Sequence, residues 1–433
     1  MNENEMPPGP PLPALVQSFV LFRWSLPFLR WCQRRYGETF TVNSALMGKI
    51  VYLTDPAAIK ELFALDGKGG HAGVVNSQLE MVTGPHSLLL LDRESHVAER
   101  RLLSPAFHGG AIENLEEVAR QAARRELENW GNGEILAARP AMQRITFEVI
   151  VRAVLGVDDP LLRKRLLQAF KPVFNIPPMV LFPALRVDLG PLSPWGRFRR
   201  AMDHLDRLLL ELIRERRAED PREDILGVLL AATEENGEPL SDSHVRDELV
   251  TLLLAGHETT ATALSWALER LARHPAVLNE VRSALGRRND AVIDAVAAET
   301  LRVRPLVPGV ARQLSTAVEL GGYRLPAGTT VVPSIELVHA DDRHHPKAST
   351  FDPQRFRNRK PSNETWLPFG GGRRRCIGAS LAQMELRVIL STILSEYMPT
   401  PVSKQVERAR VRGITLAPGQ DARLRMIRIP LAV

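Results

Sequence analysis

From Ser241 to Pro275 the sequence reads as one unbroken helix. Ser241 or Asp242 can cap its start, Arg270, Arg273 and His274 favour its C-terminal end, and Pro275 stops it. At about 1.5 Å per residue it is about 45 Å long, enough to cross a whole domain. A rod of that length at the centre makes a mainly α fold the expectation. Other helical patterns fill residues 57–65 and 92–240, the latter broken at Ser104-Pro105, Gly131–Gly133, Asn175–Pro191 and Pro221. More follow to Val303, and a last helix runs from about Ala379 to Tyr397 before a strand-like tail. The β signals are few. Thr39–Asn43 and Lys49–Leu53 form a hairpin around Met47-Gly48 that ends at Asp55-Pro56. Gln313–Leu320, Gly322–Leu325 and Thr329–Ser334 read as short strands separated by Gly and Pro turns. Asp66–Leu91 is rich in Gly and aperiodic, so a long functional loop is expected there. Ile176–Leu185 is an apolar connector, either a ligand entrance or interface, or simply a buried loop.

The composition, 44% hydrophobic and 24% charged over 433 residues, allows a sizeable core and excludes disorder. The net charge of +6 is modest and gives no reason to expect nucleic acid. Two cysteines, Cys32 and Cys376, exclude a multi-disulfide scaffold and any zinc site built on Cys pairs, and they fit a reducing, cytoplasmic setting. No apolar run approaches the roughly 18 residues of a spanning helix, so no transmembrane anchor is expected. Pro7–Pro13 is a stiff leader, Arg30–Tyr36 a short basic helix, and the apolar stretch 11–31 is punctuated by Pro13, Arg23, Pro27 and Arg30. That stretch reads as a peripheral segment packed on the body, with contact to a bilayer surface as the lesser alternative. With no linker or repeat in view, residues 1–433 read as a single domain and a monomer, 1–36 being its leader and short helix.

The sharpest chemical signal is Phe369-Gly-Gly-Gly-Arg-Arg-Arg-Cys376-Ile-Gly378. Four glycines and a cysteine directly before a helix make a loop that something flat can approach closely. Metal ligation needs a thiolate, and a helix N-terminus with neighbouring Arg residues can stabilise one. The alternative, an inert buried Cys in a Gly-rich turn, does not account for ten patterned residues. His339, His344 and His345 are discounted as a metal site, because Asp341, Asp342 and Arg343 interleave in what reads as a solvated loop. Arg373, Arg375 and Arg387 form either a basic dock for an acidic partner or a solvated charge run.

The loop resembles the cysteine-ligand segment of the cytochrome P-450 superfamily, F-x-x-G-x-R-x-C-x-G, at Phe369, Gly372, Arg374, Cys376 and Gly378. The resemblance implies a triangular, single-domain, mainly α fold with small sheets, binding one haem b (iron protoporphyrin IX). Cys376 is then the proximal iron ligand, its electron-donating thiolate favouring cleavage of dioxygen. Arg374 reaches a haem propionate and Phe369 packs near the sulfur. Ala255-Gly-His-Glu258-Thr259-Thr on the long helix is similar to the family's oxygen-activating segment. Ala255 and Thr259, four apart, share a face on which the small Ala255 and Gly256 leave room for dioxygen and substrate. Thr259 would bond the distal oxygen or its water and Glu258 would relay protons. The bland alternative is a threonine bonded back to a helix carbonyl.

Glu299-Thr-Leu-Arg302 has the same E-x-x-R spacing as Glu117/Arg120, Glu211/Arg214 and Glu407/Arg410. Its place between the long helix and the Cys loop, with Phe351-Asp-Pro-Gln-Arg355-Phe following, implies a structural triad of Glu299, Arg302 and Arg355. Gln354 departs from the family's acid there. By the same resemblance His96, Arg100 and Arg312 are further propionate partners. The implied activity is insertion of one atom of dioxygen into an apolar lipid, terpenoid, steroid or polyketide-like substrate. Val74, Val75, Met81, Leu254, Ala255, Leu306, Val307 and Val310 would line its pocket. No G-x-G-x-x-G fingerprint is present, so electrons come from outside, from a ferredoxin and ferredoxin reductase. The alternatives are a haem-thiolate peroxygenase or isomerase without a donor protein, and a non-enzymatic haem sensor.

Overall fold

A computed structural model describes residues 6–174, 186–220, 222–234, 237–287 and 289–430. The chain divides into two compact units. The first contains residues 1–77, 89–97 and 298–377, the second residues 78–88, 98–297 and 378–433.

The first unit holds most of the β structure. Thr39–Ser44 and Gly48–Leu53 form the expected antiparallel hairpin, with Thr39 opposite Leu53. Val51 and Leu53 pair in parallel with Val331 and Pro333 of strand Thr330–Pro333. Arg312–Leu314 and then Gly70–His71 complete a five-stranded sheet. Helix Pro56–Ala64 begins where Asp55 accepts the Ala58 N–H at 3.1 Å, with Pro at its first position. Its Ile59, Leu62 and Phe63 pack with Val51, Leu53, Leu314 and Val331 into one apolar cluster. The expectation of a structureless loop over Asp66–Leu91 is corrected. Gly70–His71 is a strand edge and Gly73–Asn76 a short helical turn, and two more turns, Ser77–Leu79 and, in the second unit, Glu80–Thr83, follow it, runs too short to show a period.

The second unit is helical around Asp242–Arg273, 32 residues long. Ser241 caps it, its hydroxyl accepting the His244 N–H at 3.2 Å. Helices Ala138–Leu155, Pro194–Arg217 and Ala379–Glu396 pack along it. Glu134–Ala137 is a strand where sequence suggested only a break. It pairs with Arg423–Arg428, which also pairs with Tyr397–Pro401. The connector Ile176–Leu185 lies outside the described residues.

Candidate active site

In the first unit the Cys loop folds back on itself, Cys376 N–H donating to the Phe369 carbonyl at 2.9 Å. Phe369 meets the edge of Trp366 at 5.8 Å, and the Arg375 guanidinium lies 6.0 Å from its ring. Cys376 is exposed, whereas Cys32 is fully buried and its thiol is pushed up to about 12 by burial. Only Cys376 is therefore placed to act as a thiolate. The glycines divide their work. A Cβ on Gly371 would stand 2.4 Å from Phe63 Cδ2, and one on Gly372, at φ +66°, would stand 2.4 Å from Asp66 Oδ2. Those two glycines admit the chain's own helix end, not the flat ligand expected from sequence.

Beside the loop the expected Arg312 and Arg374 meet Asp66, Asp92 and His71, which no motif announced. Arg312 donates to Asp66 at 2.6 and 3.3 Å and stands over the Phe63 ring. Arg374 donates to Asp92 at 2.5 Å and to the Leu91 carbonyl. Burial draws the Arg374 guanidinium below its usual range. Asp92 Oδ1 also accepts the N–H groups of Ala72 and Gly73 at 3.0 and 3.1 Å. His71 Nδ1 lies 3.8 Å from Asp92 Oδ2, and among the described residues its buried Nε2 has no hydrogen-bond partner. His96 is buried one helical turn beyond Asp92.

The unit also brings Glu299, Arg302 and Arg355 together. Arg302 grips Glu299 through two bonds of 2.7 Å, and Arg355 Nε reaches Glu299 Oε1 at 3.1 Å. The rest of the Arg302 fork donates to the carbonyls of His339, Ala348 and Thr350 at 2.7, 2.8 and 3.1 Å. The pair is fully buried, unlike Glu117/Arg120 with the same spacing on an open surface. His339 and His345 are buried too, which corrects the solvated loop expected there. His339 Nε2 accepts the Leu367 N–H at 2.8 Å, and burial holds that ring down to about 3, so it is a neutral packing residue. Among the described residues no three His, Cys, Asp or Glu side chains converge as a metal site.

In the second unit the long helix is buried from Asp247 to Ala272 except at five positions. Leu254, Ala255, Gly256, Glu258 and Thr259 are half-open, so the helix is uncovered at one place. Thr259 Oγ1 donates to the Ala255 carbonyl at 2.7 Å. Glu258 accepts from Arg139 at 2.8 Å and Gln143 at 2.5 Å, and Arg139 also holds Asp421 at 2.8 Å. Neither Arg139 nor Gln143 stands out in the sequence. Gly256 does not leave ligand space: a Cβ there would stand 2.7 Å from Ile150 Cδ1, so the glycine lets helix Ala138–Leu155 approach. Thr146 Oγ1 lies 3.1 Å from His257 Nδ1, and burial drives His257 down to about 3. Glu385 is fully buried, bonded to Thr260, and raised to about 8. Gly378 heads helix Ala379–Glu396 at φ −86°, where a Cβ would meet nothing nearer than Phe107 at 4.0 Å. Arg100 is half-buried on the same helix as His96. Arg387 is engaged by Glu116 at 2.8 Å, which removes it from the free basic patch. A cleft of about 830 Å³ near Arg273, Arg408 and Arg423 contains none of these residues.

Of the pocket wall expected from sequence, Val74 is exposed, while Val75, Leu306, Val307 and Val310 in the first unit and Met81, Leu254 and Ala255 in the second are half-open.

Residues 6–421 match the family described as Cytochrome P450. The chain is 43% identical over 431 residues to the Mycobacterium tuberculosis protein named cytochrome P450 135B1, covering 97% of this chain and 91% of that one. It is 38% identical over 427 residues to cytochrome P450 135A1 of the same organism, covering 98% and 95%. Its structure is similar to retinoic acid bound cyanobacterial CYP120A1, with TM-score 0.85 and 26% identity over 98% of this chain and 99% of that one. The heme domain of cytochrome P450DA is similar in fold, with TM-score 0.84 and 23% identity over 98% of each chain.

Proposed function

The chain belongs to the cytochrome P450 family and is a haem-thiolate monooxygenase, and on that premise we propose that it oxidises an apolar lipid, terpenoid, steroid or polyketide-like substrate. We further propose haem b as its cofactor, a ferredoxin with its reductase as electron donor, and action as one cytoplasmic, monomeric haem domain. The observation that carries the substrate class is the half-open stretch of the long helix, where Leu254 and Ala255 offer apolar surface beside two polar groups, Glu258 and Thr259. The retinoic acid bound by the similar cyanobacterial protein, an apolar isoprenoid acid, supports the same class.

The residues present fit a haem. Cys376 is an exposed sulfur beside Arg373, Arg374 and Arg375. The cluster of Arg312, Arg374 and His71, the last with a buried unpartnered nitrogen, offers donors to acidic groups. Gly378 needs neither special backbone nor room for its own neighbours, so its missing Cβ spares space for something else. Cys376 would hold the iron, Phe369 would pack beside the sulfur, and Arg374, Arg312, His96 and Arg100 would face the propionates. When bound, the haem supplies the iron at which dioxygen is activated.

The chain's own part is to handle protons. Thr259 Oγ1 can turn from the Ala255 carbonyl to a water in the half-open space. Glu258 is aimed by Arg139 and Gln143, and when one of those bonds releases, the freed carboxylate oxygen can accept a proton from water and pass it on. Glu299, Arg302 and Arg355 act structurally, by fixing the segment that leads into the Cys loop.

Three measurements test this. The ferrous carbon monoxide complex should show the red-shifted thiolate Soret band, and Cys376→Ser should lose it; an unshifted band in wild type refutes the ligand. A library of isoprenoids, steroids and fatty acids should include compounds that drive a low-to-high-spin shift, and a response confined to polar compounds refutes the substrate class. With a surrogate ferredoxin pair, Thr259→Ala should consume NADPH with less product per electron. Turnover with hydrogen peroxide alone, and none with the donor pair, would favour the peroxygenase instead.

A further inference from the structure

The N-terminal helix Ala14–Arg23 carries apolar side chains on its outer side as well as its inner one. Its one buried residue is polar, Gln17, only 1% exposed. Gln17 Nε2 donates to the carbonyls of Pro10 and Leu12 at 3.0 and 2.8 Å, and its Oε1 accepts the Asn43 N–H at 2.9 Å. Ser18 Oγ accepts the Ala45 N–H at 2.8 Å. The polar side thus fastens the helix to strand Thr39–Ser44 and the hairpin turn. Val20 and Leu21 of the same helix pack against the core, but Leu15, Phe19 and Phe22 point away from it and are 75%, 64% and 73% exposed. Their spacing of four and three places them in one stripe. Trp24 and Trp31 are half exposed, and Leu46, next to the residue bonded by Ser18, is 67% exposed. Grouped apolar exposure of this kind marks an interaction surface, where scattered single residues would not.

Charge identifies the occupant. Between Met6 and Tyr36 stand Arg23, Arg30, Arg34 and Arg35 and no Asp or Glu. Arg23, Arg34 and Arg35 are exposed, as is Lys49 on the hairpin. The Arg23 guanidinium lies 5.1 Å from the Trp24 ring, whose edge meets Phe19 at 6.1 Å, so cation and aromatic share one border. A second copy of the chain fits poorly, because a symmetric pairing would bring these arginines together with no acid between them. We propose that this face docks on an anionic phospholipid bilayer, with the helix lying in the interface, Leu15, Phe19, Phe22 and Leu46 at the acyl boundary and the arginines among the phosphates. Ten residues span about 15 Å, half the hydrocarbon thickness, so the helix lies on the bilayer and does not cross it. The docking is independent of the oxidation chemistry. It would place the chain at the surface where apolar substrates dissolve.

The test is co-sedimentation of the full-length, haem-loaded protein with phosphatidylcholine vesicles, with and without phosphatidylglycerol. Wild type should pellet with the anionic vesicles and be released by salt. Arg23→Gln/Arg34→Gln/Arg35→Gln should lose about fivefold in affinity per charge, about a hundredfold together. Phe19→Ser/Phe22→Ser should lose at least about tenfold per ring, with its far-ultraviolet dichroism and carbon monoxide spectrum unchanged. The proposal is overturned if wild type ignores anionic vesicles at low salt, or if the Phe variant binds as well as wild type. It is equally overturned if light scattering finds a wild-type dimer that the Phe variant dissolves, since a second copy then covers the face.

Discussion

Truncating Arg302 to alanine should cost a large share of the stability of the whole protein. The guanidinium makes two bonds to Glu299 and one each to the carbonyls of His339, Ala348 and Thr350. Removing one partner of a buried ion pair costs about 3–5 kcal/mol, because the other charge loses its compensation, and the single bond that Arg355 keeps to Glu299 offsets only part of that loss. Each stranded carbonyl adds about 1–3 kcal/mol if no water reaches it. The ion pair and a single carbonyl already give about 4–8 kcal/mol, against a total stability of about 5–15 kcal/mol. Arg302→Lys keeps the charge but has no planar fork, so it cannot serve both carboxylate oxygens and three carbonyls, and it should fall between wild type and alanine. The control is Arg120→Ala, which breaks an E-x-x-R pair of equal spacing on an open surface, where such pairs contribute little. Urea unfolding followed by far-ultraviolet dichroism gives the comparison. Arg302→Ala should yield little folded protein or a midpoint far below wild type, while Arg120→Ala leaves the midpoint in place. If the two variants shift alike, burial is not what separates these copies and the reasoning fails.

Two buried groups predict opposite limbs of the stability–pH curve. His257 has its folded value down near 3 against an ordinary 6.5, so the unfolded chain takes up a proton that the folded chain refuses as pH falls below about 6.5. At pH 5 this costs about 2 kcal/mol, and His257→Asn, which cannot titrate, should lose that much less stability between pH 7 and pH 5 in urea titrations. Glu385 is raised from 4.5 to about 8, so its contribution is complete below about 4.5 and drains away as pH rises through 8. Glu385→Gln should flatten that alkaline decline, by about 1.4 kcal/mol per pH unit across the window. The loop glycines should part company as well. Gly371→Ala drives a Cβ to 2.4 Å from the Phe63 ring and should destabilise the haem-free chain by about 1–3 kcal/mol. Gly378→Ala should leave the haem-free melting point unchanged yet speed haem transfer to an acceptor globin, and an unchanged transfer rate would refute the reserved space.

What sequence made legible here was local. The long helix announced itself through its cap, its basic end and its proline stop, and the hairpin through alternation around Met47-Gly48, because those signals lie within a few residues of the structure they control. The strand Glu134–Ala137 left no such trace, since it exists only through pairing with Arg423–Arg428 at the far end of the chain. The site divides the same way. Cys376 and Thr259 stand in patterned runs, but Asp66 meets Arg312 across 246 positions, Asp92 meets Arg374 across 282, and Arg139 meets Glu258 across 119. No spacing rule reaches that far, and an aspartate before a turn reads as a cap whichever cation it later holds. The glycines make the same point. Gly371, Gly372 and Gly378 are identical letters in one motif, yet two admit the chain's own Phe63 and Asp66 and the third has open space beside it. A motif therefore names the residues a fold requires, and only the packing around each says which neighbour requires it.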